Sequence, residues 1–109
     1  MTEDRERIAT DFHQAVNMTA GELESWLDTR ESKAVGDKSG RGESIGHESG
    51  RRIMGILRKG EDDLSDEDYA HMREVTGYVR RHLAQRPSGD VHDTPWRYSL
   101  MNWGHDPLK

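Results

Sequence analysis

The run LSDEDYAHMREVTGYVRRHLAQRP, residues 64–87, constrains this chain more than any other stretch, because it carries both its own ends and its own period. Ser65 is placed to accept from an orphan backbone N–H of a first helical turn. Asp68, three residues on, makes a weaker form of the capping box, and Leu64 and Tyr69 are spaced as its hydrophobic staple. Asp66, Glu67 and Asp68 crowd the start while Arg80, Arg81, His82 and Arg86 crowd the end, which suits the helix dipole at both poles. Pro87 ends the run. Tyr69, Met72, Thr76, Val79 and Leu83 recur by threes and fours, with Val75 and Tyr78 widening the stripe, which is the period of a core-facing helix. Two heptads are too few for a coiled coil. Gly77 costs about 1 kcal/mol against Ala in an exposed helix and would let another backbone come close. The pattern predicts an all-α fold, a compact bundle of four to five helices around one long central helix at about 66–86.

Shorter helices flank it. Thr2 can cap a first helix to about Val16, with Ile8, Phe12, Ala15 and Val16 on one face, and Asn17 is suited to a left-handed terminus. In NMTAGELESWL, Thr19 and Glu22 form a full capping box with Met18 and Leu23 as staple, so a tight helix–helix corner falls at residues 17–19. The Gly/Ser-rich segment at about 29–46 is the expected mobile loop, although ESKAV can hold a helical turn. From about His47 a period returns through Ile53, Ile56 and Leu57, with Met54 beside them and Gly60 as a C-terminal glycine. Gly50 and Gly55 weaken that helix. Finally SGDVHD is a polar turn, and in TPWRYSLMNWG Thr94 caps, Pro95 takes the first helical position and Gly104 terminates. Trp96, Leu100 and Trp103 line up to clamp the central helix.

A chain of 109 residues makes one domain, here 1–109, and with only 31% apolar residues against 34% charged its core must be modest. The absence of cysteine removes disulfides, thiolate metal sites and a cysteine nucleophile. No apolar run approaches the roughly 20 residues of a membrane span, and MTEDRERIATD has no signal-peptide character. A soluble, cytoplasmic protein with no membrane partner is the expectation.

Net charge is −5, which argues against an all-over nucleic-acid binder, but the charges come in blocks. Residues 32–59 carry seven basic and three acidic side chains, set between acidic stretches at 1–31 and 60–72. Within DKSGRGESIGHESGRR the cations Lys38, Arg41, Arg51 and Arg52 accompany Ser39, Ser44 and Ser49 and several glycines, and lead into a helix N-terminus. That combination suits a phosphate. It is not a P-loop, since no Gly-Lys-Ser/Thr follows at the required interval, and Glu43 and Glu48 dilute the charge. The competing reading is a solvated loop whose cations pair internally with the flanking acids.

Six histidines raise a metal or acid–base question. His71 and Glu74 stand in the reverse order of a di-iron Glu-x-x-His pair, and only one such pair exists. His92, Asp93, His105 and Asp106 flank the last helix and could converge, but a zinc site needs three or four placed ligands. Asp62 and Asp63 read as an acidic cluster before a helix, and no serine sits in a nucleophile elbow. No catalytic residue, metal or cofactor is expected.

The strings FHQAVNMTAGELESWL, GESIGHESGRRIMGIL, DDLSDEDYAHMREVTGYVRRHLAQRP and DTPWRYSLMNWGHDP together resemble a family known only as a domain of unknown function, small proteins of bacteria and some fungi. The likeness runs from Phe12 to Pro107, with HLAQRP and WRYSLMNWGHDP its most specific parts. It implies a single compact domain with no established catalytic residue or cofactor, and some members carry an automatically assigned DNA-binding label. The first expectation is therefore a non-enzymatic module that binds nucleic-acid phosphates through Lys38, Arg41, Arg51, Arg52, Arg58 and Lys59, with the acidic N-terminal segment turned away. The second is a protein-interaction, self-associating or structural module using the aromatic C-terminal segment and the central helix. An enzyme is the third.

Overall fold

The computed structural model describes residues 2–35 and 45–109, and over them the protein is all-α. Six helices follow in order: α1 Thr2–Ala15, α2 Ala20–Leu27, α3 Arg30–Ala34, α4 Ile45–Arg58, α5 Asp66–Leu83 and α6 Pro95–Asn102, with a 3-10 turn at Glu61–Asp63 before α5. No helix among the described residues is long and apolar enough to cross a membrane.

The caps written in the sequence are present. Ser65 Oγ accepts from Asp68 N at 3.1 Å while Asp68 Oδ2 accepts from Ser65 N at 2.9 Å, closing the box on α5. Thr19 and Glu22 do the same for α2. Thr94 Oγ1 accepts from Arg97 N, and Pro95 opens α6. Thr29 caps α3, the helical turn expected over ESKAV. Its Ser32 is fully buried.

Two helix pairs and a plug make the core. On α1, Ala9, Phe12 and Ala15 are buried, and α5 beside it buries Met72, Val75 and Val79. Arg5 meets Asp66 and stacks on the Tyr69 ring, while Asp11 meets Arg80 at 3.5 Å, so the two helices run side by side in the same direction. Leu23 and Leu27 of α2 and Ile53 and Ile56 of α4 supply the second buried seam. The eight-residue α6 packs against α2, α3, α4 and α5 at once, so the shared centre is α6 rather than the longer α5. The reason is surface shape. The buried stripe of α5 is only wide enough for α1 and an edge, whereas α6 buries Trp96, Leu100, Asn102 and the following Trp103 in different directions.

Several local expectations change. α5 stops at Leu83, short of Pro87, and Leu83 is 37% exposed, so the stripe ends one turn early. His71 takes a buried place in it instead. Gly77 admits no other backbone; the nearest atom to a Cβ there would be Arg81 Nη1. Gly60 is extended, not left-handed, and Asn17 is not left-handed either. Instead Asn17 Nδ2 donates to Asp106 O at 2.9 Å and its Oδ1 accepts from Asp106 N at 2.8 Å, pinning the tail to the α1–α2 corner. Gly104 makes that approach possible. Its φ of +81° belongs to glycine, its carbonyl accepts from both Asn17 N and Met18 N, and a Cβ there would stand 3.0 Å from Val16 Cγ1. Within the polar turn before α6, Val91 is buried.

An aromatic column runs through the α5–α6 contact. His71 stacks on Trp103, Trp103 on Tyr78 at 4.2 Å, Tyr78 on His82, and His82 on Trp96, with the Arg86 guanidinium 5.4 Å over the Trp96 ring. Trp96 Nε1 also donates to His82 O at 2.7 Å. Stacked rings of this kind add about 0.5–1.5 kcal/mol per pair beyond burial.

Candidate nucleic-acid interface

α4 divides cleanly into two faces. Ser49, Gly50, Ile53 and Ile56 are buried, while Glu48, Arg51, Arg52, Gly55, Arg58 and the following Lys59 are exposed. The buried face is fixed at three points. His47 Nε2 donates to Leu27 O at 2.7 Å, tying α4 to the end of α2. Ser49 Oγ lies 2.9 Å from His71 Nε2, tying it to α5. Gly50 lets the helix sit directly on α6, since a Cβ there would fall 2.5 Å from Asn102 O and 2.7 Å from Leu27 Cδ2. The two glycines of this helix therefore do different things: a Cβ at Gly55 would meet nothing within 4 Å. Its place on the exposed stripe leaves a flat strip of backbone between Arg51 and Arg52 on one side and Arg58 on the other.

The predicted cations meet different fates. Lys38 and Arg41 lie outside the described residues, as do Ser39 and Ser44. Arg51 is exposed and lines a shallow groove of about 580 Å³ that it shares with Glu24, Asp28, Lys33 and His47. Arg52 is exposed on the side of α4 nearer α5, where its charge helps to disfavour the protonated form of His71. Arg58 Nη2 reaches Glu24 Oε1 at 3.3 Å, with both side chains half exposed. Lys59 Nζ reaches Asp68 Oδ2 at 2.7 Å, and that carboxylate, only 14% exposed, is the one that caps α5. The Lys59 hydrogen bond, followed by that of Ser65, holds Asp68 below the usual carboxylate range. Lys59 thus serves the fold. The acidic N-terminal segment does not turn away as a whole, because Glu24 and Asp28 border the same groove as Arg51. The reason is the α2–α4 packing, which carries the polar flank of α2 to the edge of α4.

The histidines do not gather. His105 Nδ1 donates to Ala15 O at 2.6 Å, and Asp106 receives two bonds from Arg97 at 3.2 and 3.1 Å. His92 pairs with Asp93 in the open. His71 Nδ1 lies 3.3 Å from Glu74 Oε2, within ion-pair distance but without hydrogen-bond geometry. Among the described residues no group of three His, Asp or Glu side chains is placed to hold a metal.

Sequence reasoning passed over Asn102. This residue is 1% exposed, and its Oδ1 accepts from Trp26 Nε1 at 2.7 Å and Ser32 Oγ at 2.5 Å while its Nδ2 donates to Ser32 O at 3.1 Å. It joins α2, α3 and α6 and, through its carbonyl beside Gly50, sets the seat of α4. Little in the sequence marked it, since Arg97 and Ser99 are polar on the same short helix.

A family model described as "Protein of unknown function (DUF3140)" matches residues 11–101, and the chain belongs to that family. The match ends before the WGHDP string that follows α6. No curated protein and no solved structure shows a significant match.

Proposed function

We propose that this family member is a small non-enzymatic binding module for nucleic-acid phosphates, docking through the exposed face of α4. The observation that carries the reading is the stripe Arg51, Arg52, Gly55 and Arg58, three guanidiniums along one helix with bare backbone between them. Guanidinium groups bind phosphate oxygens in pairs, and a glycine in mid-stripe removes the side chain that would hold a backbone away. Arg52 and Gly55 form the centre of the interface, since Arg51 and Arg58 border acids at their outer edge. The Arg58–Glu24 pair is half exposed, so it costs little to open and an incoming phosphate can take the place of the carboxylate. Lys59 drops out of the interface because its bond to Asp68 belongs to the α5 cap. Base-specific readout is not part of the proposal, which concerns the sequence-independent backbone.

The test is fluorescence anisotropy with a labelled DNA duplex over a salt series, DNA being the probe that the resemblance described above brings forward. Wild-type protein binds at low salt, with log affinity falling linearly against log salt. Replacing Arg51 and Arg52 together by Ala lowers the magnitude of that slope by about 2. Glu24→Gln, which releases Arg58, strengthens binding. Wild-type protein that fails to bind at low salt sinks the proposal.

The interaction-module reading finds less support. Trp96 and Trp103 are 8% and 6% exposed, and Leu83 and Leu108 are the exposed large apolar side chains among the described residues. They offer no continuous apolar face.

A further inference from the structure

The groove between α1 and α5 holds a second cationic feature that the α4 proposal does not use. It measures about 250 Å³ and is lined by Arg7 and Asp11 from α1 and by Arg73, Gly77 and Arg80 from α5. Arg81, one turn beyond Gly77, lays its guanidinium beside the same glycine, with Nη1 3.0 Å from where a Cβ would stand. Three arginines and one carboxylate, Asp11, therefore line the space, and Arg81 stands beside its glycine floor. Among the described residues Asp11 pairs with Arg80, at 3.5 Å. Among the described residues Arg7 and Arg73 form no ion pair or hydrogen bond. The hydroxyl of Thr76 is turned inward onto Met72 O at 3.0 Å and does not compete.

Glycine at position 77 fits this use. A helix-interior glycine weakens the helix relative to alanine, and the packing here does not require it, because only a flexible arginine end lies near. Its effect is to leave the groove floor bare. The spacing Arg73, Gly77, Arg80, Arg81 on α5 matches Arg51, Gly55, Arg58, Lys59 on α4. On α4 that pattern borders acids, with Arg51 in a groove beside Glu24 and Asp28, Arg58 on Glu24 and Lys59 on Asp68, whereas on α5 the neighbouring α1 adds a further arginine and a single carboxylate to the lining. The smaller, more cationic space beside α5 is a cup for a compact anion. At about 250 Å³ the cup lies below the roughly 300–1,000 Å³ of drug-sized pockets, which leaves room for one or two phosphate groups and little more.

We propose that the α1–α5 groove is an oxyanion site that takes the phosphate or diphosphate group of a small phosphorylated molecule, held by Arg7, Arg73 and Arg80 with Arg81 at its rim. Arg7 and Arg73 supply the unengaged donors, and Arg80 exchanges Asp11 for the ligand.

The experiment is a titration of the full chain with pyrophosphate at constant ionic strength, followed by amide chemical shifts, with sodium chloride as control. Saturable shifts at Gly77 and the flanking arginines are expected, at protein-to-ligand ratios where chloride gives none. Arg7→Ala with Arg73→Ala weakens pyrophosphate binding by about tenfold or more, since each removes a charge-assisted contact. Arg51→Ala with Arg52→Ala leaves it unchanged, which separates this site from the α4 face. Gly77→Val, which keeps every charge but fills the floor, also abolishes saturation. Shifts that track chloride, or that survive loss of Arg7 and Arg73, overturn the proposal. A duplex that shifts Gly77 with higher affinity than pyrophosphate, and loses that on Arg73→Ala, overturns it in favour of an extended nucleic-acid surface.

Discussion

Replacing Asn102 by Ala should destabilise the protein by about 3–5 kcal/mol, because three neutral hydrogen bonds of about 1 kcal/mol each are lost and buried partners are left unsatisfied. The stranded groups are the Ser32 hydroxyl and carbonyl, on a fully buried residue, and the Trp26 indole N–H. Against a total stability of about 5–15 kcal/mol for a domain of this kind, that loss is about a fifth of the whole or more. With a urea slope of about 1–3 kcal/mol per molar, the midpoint drops by roughly 2 M. The assay is urea unfolding followed by tryptophan fluorescence, with Trp26 itself reporting the loss of its partner. A double-mutant cycle sharpens it. Ser32→Ala alone removes only the Oγ–Oδ1 bond, costing about 1 kcal/mol, but in the Asn102→Ala background it removes a hydroxyl that has already lost its acceptor. The second substitution should then be neutral or favourable, giving a coupling of about 1–2 kcal/mol. Additivity within about 0.5 kcal/mol, or a single-mutant loss below about 1 kcal/mol, would refute the idea that Asn102 ties α2, α3 and α6 together.

Two further outcomes follow from the same packing. Gly50→Ala should destabilise by about 1–3 kcal/mol, since its Cβ would collide with Asn102 O, while Gly55→Ala should stabilise by about 1 kcal/mol because its Cβ meets nothing; thermal melts showing the two with equal effect would undo the assignment of faces on α4. Stability should also depend on pH in two steps. Burial, helped by the Arg52 charge, holds His71 below the ordinary 6.5, and burial holds His82 below it too. The unfolded chain therefore binds these protons first, so their contribution is complete above pH 6.5 and is lost as pH falls below it. Asp68, held down by Lys59 and Ser65, adds a second loss below its ordinary 3.8. Urea midpoints from about pH 8 to about pH 3 should show both limbs, and His71→Gln with His82→Gln should flatten the upper one; a midpoint unchanged between about pH 7 and pH 5 would contradict it.

What the sequence made legible was whatever is decided within one helical turn. Ser65 with Asp68, Thr19 with Glu22, and Thr94 before Pro95 are local donor–acceptor arrangements, and all three stand in the structure. The period of three and four placed Met72, Val75, Thr76 and Val79 correctly, but put Leu83 inside and His71 outside. That choice depends on Ser49 of α4 and on Trp103 just after α6, which both approach His71 from elsewhere in the chain. Asn17 shows the same limit. Its side chain satisfies helix-end rules equally well as a left-handed cap or as a partner for Asp106, 89 residues away, and only the second is realised. Gly50 and Gly55 are alike as letters, yet one lies against a carbonyl and the other faces open space.

The cations extend this reasoning to the site. Composition placed seven positive charges between residues 32 and 59, but a charge acts on a ligand only through what else it already touches. Lys59 finds Asp68 nine positions on, within reach of a local argument, whereas Arg58 finds Glu24 34 positions back, through the α2–α4 packing. The partition decides chemistry. A cation whose carboxylate also caps a helix cannot leave without loosening that helix, so Lys59 stays; one whose carboxylate is itself half exposed exchanges it cheaply, so Arg58 remains usable. By the same rule Arg7 and Arg73, which hold no carboxylate among the described residues, have no partner to give up before they commit to an anion. Asp11 leaves them unneutralised because its own reach goes to Arg80. Binding at the α1–α5 groove should therefore respond more steeply to loss of Arg73 than of Arg80, since Arg80 must first give up a partner.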